Sequence, residues 1–125
     1  MTNAEEMKKL SDESSKVKAV REQASRFLLI LDEEMRKAAM EGAVEYELQY
    51  DDLEKNENKR KLNDLFFMGV SIDGAKPYVD VCEVQHAVGS ELHRLGFEAM
   101  WAPVTAATTS KYVISWKKPK PEHKI

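Results

Sequence analysis

Glu83-Val84-Gln85-His86 sets a carboxylate and an imidazole three residues apart. On a helix that spacing can offer both groups to one metal ion, as in di-metal carboxylate bundles. Those centres also take a second copy of the motif and further carboxylates from facing helices. This sequence has no second copy, so no metal is expected and both residues read as the wet face of a helix. Cys82 stands four residues before His86 and could meet it on that face. A thiol–imidazole nucleophile needs an orienting third group and an oxyanion hole, and neither has a signature here. Cys82 is expected instead as a small half-buried hydrophobe beside Val81. His93 reads as a surface residue. Asp32-Glu33-Glu34 and Asp51-Asp52 are adjacent acids. Neighbouring carboxylates on a helix diverge around its axis, so they read as solvated faces. No phosphate-cradling glycine loop, nucleotide fingerprint or nucleophile elbow is present. The expectation is a protein without catalytic residues and without a cofactor.

Lys111, Lys117, Lys118, Lys120 and Lys124 fall near Tyr112, Trp116 and Trp101. Lysines among exposed aromatics can make a platform for single-stranded nucleic acid. Trp116 alternates in phase with Tyr112 and Ile114, which favours tryptophan in the core and lysines as solubilising charge.

These groups must be positioned by 125 residues, enough for one domain. Hydrophobic residues form 42% and charged residues 33%, the pattern of a globular, charge-rich chain. One cysteine excludes an intrachain disulfide framework. No apolar run is long enough to span a membrane, and MTNAEEMKKL lacks a signal-peptide core. The formal net charge of −3 demands no polyanionic partner. Residues 1–54 hold eight basic and fourteen acidic groups; residues 55–125 hold eleven and eight.

Val17, Val20, Ala24, Phe27, Leu28, Leu31, Met35, Ala38 and Ala39 recur at spacings of three and four. They predict a helix over residues 12–41, widened by Leu29 and Ile30 and ended by Gly42. Thr2 to Glu5 has capping-box spacing, and Ser11 with Asp12 offers a later start. Val44 to Tyr50 alternates as a half-buried strand. Residues 51–61 read as a solvated loop or a short helix running into Leu62, Leu65 and Phe66. Residues 62–72 fit a helical turn followed by a strand. Asp73-Gly74 and Pro77 mark a turn. Val81, Val84, Val88, Leu92 and Leu95 predict a second helix over 80–95, with Asp80 as N-cap and Gly96 as stop. Gly89 inside it implies a close packing partner. Residues 97–116 read as a hairpin, and 117–125 as a basic Pro/Lys tail.

The fold class predicted is α+β: a long N-terminal helix and a second helix packed on a small, mainly antiparallel sheet, as one domain over residues 1–116. The long helix exceeds what such a domain needs, so part of it should project or meet another copy.

EEMRKAAMEGAVEYELQY, residues 33–50, ends a helix on A-A-x-x-G and enters a strand directly. From Val84 to Trp116 a helix ends L-x-x-L-G-F and the chain closes on Y-V-I-S-W. This layout, over about half the chain, resembles a group of small proteins encoded by tailed bacteriophages. The resemblance implies a phage origin and an interaction role, and carries over no catalytic residue. The long helix, the polar insert at 51–61 and the basic tail depart from that layout. The leading expectation is a non-enzymatic virion component, minor or decorating, that self-associates or docks on larger subunits, in the virion or the host cytoplasm. Phe27, Leu28, Leu31 and Met35 are its candidates for helix packing against a partner. Lys117, Lys118 and Lys120 are its candidates for an acidic one. One alternative is an early protein that binds nucleic acid, or a host nucleic-acid enzyme, through the tail. Another is a sponge that grips a small anion with Arg21, Arg26, Arg36, Arg60 and Arg94.

Overall fold

The computed structural model describes residues 2–51, 53–68, 80–103 and 110–119. Helix α1 spans Ala4–Met40, strand β1 Glu45–Leu48 and helix α2 Glu57–Asn63. A single π-helical turn, Asp64–Met68, continues α2. Helix α3 spans Val81–Arg94, and strands β2 and β3 span Glu98–Pro103 and Ser110–Ser115. The class is α+β, with a three-stranded antiparallel sheet in the order β1-β3-β2.

Helix α1 starts well before residue 12. Its cap is Asn3, whose side-chain oxygen accepts a hydrogen bond from the Glu6 amide at 2.9 Å. Neither Thr2 nor Ser11 begins the helix, because Asn3 satisfies an orphan donor of the first turn. Its other end follows the expectation. Gly42 takes φ +94°, and the amides of Gly42 and Ala43 return to the Ala39 and Ala38 carbonyls at 3.0 Å. α3 likewise starts on Asp80, which accepts from the Cys82 amide at 2.9 Å.

β1 is shorter than the alternating run that predicts it. Only Glu45–Leu48 pairs with β3, in register Glu45↔Ser115 to Leu48↔Tyr112. β2 and β3 form the expected hairpin pairing, Glu98↔Ser115 to Pro103↔Ser110. The turn between them lies largely outside the described residues, as do Asp73-Gly74, Pro77, the end of the 62–72 stretch and residues 120–125 of the tail. The polar insert resolves into a helix at its end. Asn56 caps α2 by accepting from the Lys59 amide at 3.1 Å.

The core lies between the helices and one face of the sheet. Phe27 and Leu31 of α1, Leu62, Leu65 and Phe66 of the α2 segment, Val84 and Val88 of α3, and Ile114 of β3 are all fully buried. Phe66 is its centre. Its ring lies 4.9 Å from Phe27, 5.1 Å from Tyr112 and 5.9 Å from Trp101, centroid to centroid. The π turn that carries it is held from both sides. Gln23 of α1 donates to the Leu65 carbonyl at 3.3 Å, and Gln85 of α3 donates to the Phe66 carbonyl at 2.8 Å. Gly89 has the predicted neighbour: a β-carbon there would sit 3.0 Å from the Tyr112 hydroxyl.

Some stripe positions end up outside. Leu29 is strongly exposed, because it lies on the side of α1 opposite Phe27 and Leu31. Val17 is exposed because the rest of the fold does not reach that far along α1, and Leu95 because it caps α3.

Phe66→Ala removes the common neighbour of four aromatic rings. It should destabilise the fold by about 3–5 kcal/mol, read as a lowered urea midpoint with little change in slope.

Candidate functional site

α3 turns Cys82, Gln85, His86, Ser90 and His93 toward an open trough beside β2. Its volume is about 550 Å³, and Ala99, Met100, Trp101 and Tyr112 line the strand side. Cys82 is exposed, not half-buried, because the adjacent Val84 is the residue that α3 directs into the core. His86 and Glu83 are exposed too, on a helix face that meets water. No carboxylate is among the described residues that line the trough. Among the described residues no three His, Cys, Asp or Glu side chains are grouped to hold a metal ion.

A second cleft, about 440 Å³, lies between β1 and α2 and includes Tyr46, Leu48, Tyr50, Glu54 and Lys59. Burial pushes the Tyr46 hydroxyl up to about 12, and the negative charges of Glu34 and Glu54 push the same way. Tyr46 therefore stays protonated through the physiological range, a donor rather than a nucleophile. Glu34 is buried on α1, accepts from the Asn58 side chain at 2.9 Å and has Lys37 at 3.7 Å. It ties α1 to α2 rather than facing a ligand. A third cleft, about 320 Å³ and mostly apolar, lies between α1 and the end of the sheet, with Met35, Ala39, Phe97 and Trp116 in its walls.

The residues expected to meet a partner divide. Phe27, Leu31 and Met35 are buried in this chain's own core, and Leu28 packs half-buried against it. Phe27, Leu31 and Met35 thus help close this chain's own fold against α2 and α3. Lys117 and Lys118 are exposed beyond β3, while Lys120 lies outside the described residues. Trp116 is half-buried, edge-on to Phe97 at 6.5 Å, and Tyr112 is buried, so these rings do not form a platform beside the lysines. The five arginines are spread over three helices. Arg36 pairs with Asp32 at 3.0 Å, and Arg94 pairs with Glu91, whose carboxyl that hydrogen bond and charge hold below the usual range.

The most exposed element is the first half of α1. Every residue from Thr2 to Lys18 is exposed. Met7, Leu10 and Val17 keep 56%, 58% and 54% of their surface in water. At 1.5 Å per residue, Ala4–Lys18 extends about 22 Å from the body. Sequence reasoning put its packing candidates in the second half of α1 and none in this exposed half. The signal was the stripe thinning to Met7, Leu10 and Val17 before it thickens at Ala24. Gln23 and Gln85 left no such signal, because a glutamine beside an apolar stripe looks like an ordinary surface residue.

Among the described residues no helix is long and apolar enough to cross a membrane. No protein-family model, curated protein or solved structure matches the chain.

Tyr46 gives a pH dependence. Its folded pKa is above the unfolded value of 10. The unfolded chain therefore releases this proton first, and stability falls as pH rises from about 10 towards 12. Tyr46→Phe should flatten that fall, measured as urea midpoints at pH 9, 10 and 11. An unchanged slope would show that the hydroxyl is not shielded.

Proposed function

We propose that this chain is a non-enzymatic component of a tailed-phage virion, minor or decorating, that works through protein–protein contact and self-association. The observation that carries the reading is the exposed half of α1. A capped helix held about 22 Å clear of its own core is placed to lie against another surface. Its sparse apolar row, Met7, Leu10 and Val17, is the pattern by which a helix docks in a groove. The paired motifs at residues 33–50 and 84–116 support the phage origin. Lys117 and Lys118, exposed past β3, supply a second contact suited to an acidic partner.

The test is incorporation. Mass spectrometry of gradient-purified virions from the encoding phage should find the chain at a reproducible copy number. Met7→Glu, Leu10→Glu and Val17→Glu together should remove it from the particle. They should leave the body folded, with each exposed change worth about 0.5 kcal/mol or less. A chain absent from wild-type virions, or one that enters unhindered with the triple substitution, overturns the reading.

A further inference from the structure

The two edges of the sheet are built differently. β1 is four residues long and carries Glu45 and Glu47. If β1 paired with a second β1 about Tyr46, Glu45 would face Glu47 directly, a repulsive pair. That is how edge strands are protected from each other. β2 lacks this protection. It is six residues long, its one charge is Glu98 at its start, and Met100 and Trp101 are 59% and 45% exposed. From Ala99 to Ala102 its outer edge has no strand beside it among the described residues.

β2 is also complementary to itself. Antiparallel pairing about Met100 sets Met100 against Met100, Glu98 against Ala102, and Ala99 against Trp101. No like charges meet. Ala99 and Trp101 share the helix-side face with Ile114 and Tyr112, their partners on β3. Ala99, Gly89 and Ser90 are the small residues of the trough there, with Gln85, His86 and His93 also in its lining. Trp101 rests on its own Phe66, Phe67 and Tyr112 and leaves its outer part open at the edge, where Ala99 of a second copy would stand directly opposite, twice over by symmetry. A two-fold contact of this kind closes on itself and stops at two copies.

We infer that two copies of this chain pair through β2, forming a continuous six-stranded antiparallel sheet with Trp101 of each seated over Ala99 of the other. The inference deepens the self-association part of the proposed function and names its surface. Residues 2–18 take no part, so a failure of this pairing and a failure of virion docking are read separately.

Light scattering behind a sizing column should give twice the 14.3 kDa chain mass at about 100 µM, a concentration suited to a small interface of micromolar affinity. Met100→Lys puts two ammonium groups face to face at the dyad and should leave a monomer that melts like the wild type at concentrations too low for pairing, since Met100 is on the open face of the sheet. Met100→Cys with Cys82→Ser tests the register. Directly opposed residues have Cα atoms about 4.5–5.5 Å apart, within disulfide reach. Mild oxidation should therefore link most chains in pairs. A wild-type monomer at that concentration, a dimer that survives Met100→Lys, or a failure of Met100→Cys to cross-link each overturns the inference. The first of these holds even if another protein's strand proves to use the edge.

Discussion

Phe66 reaches the middle of the core because the helix that carries it changes pitch. α2 alone is seven residues long, too short to be stable by itself. Its continuation as a π turn keeps Leu65 and Phe66 both fully buried, and it leaves main-chain carbonyls without the usual helical partners. Gln23 and Gln85 supply those partners from α1 and α3. An unsatisfied buried carbonyl would cost about 1–3 kcal/mol, so the two amides are structural even though they contribute little apolar area. The three helices are thus joined at one place by two hydrogen bonds and a cluster of rings. Sheet and helices meet there as well, through Tyr112 and Trp101.

Around that point the fold separates into parts with different duties. The helix-side face of the sheet is core. Its other face carries alternating charge, with Lys111 and Glu47 paired across β3 and β1 at 2.8 Å. α1 does two jobs along its length. From Ala19 onward one side of it enters or borders the core, and before that no side chain does. None of the buried core residues comes from the first half of the helix.

Much of this was legible in the residues. The periodicities of 17–39 and 81–95 placed two helices, the alternation of 44–50 and 111–116 placed two strands, and Gly42, Asp80 and Gly96 marked ends. Each signal is local, written into neighbours in sequence. What escaped was non-local or came from competition between local options. Asn3 outcompeted Ser11 as the start of α1, and both are competent caps. The π turn has no sequence period of its own. Phe27, Leu31 and Met35 looked like an assembly stripe because amphipathicity reports that a face is buried, not whether the covering surface is in the same chain. Trp101 stayed half exposed for the same reason: alternation gives the face of a strand, but not its place at the sheet's edge.

The strand order has a consequence in time. β3 is the central strand, and it is the last of the three in the chain. β1 and β2 do not touch each other, and among the described residues each pairs with β3. During synthesis, which proceeds from the N-terminus, the helices can form and collapse on Phe66 early. The sheet cannot begin until residues 110–115 emerge, and β1 must then close a loop of more than sixty residues to reach them. Of the described strands, β1 and β2 are thus joined into one sheet only by the strand that follows both.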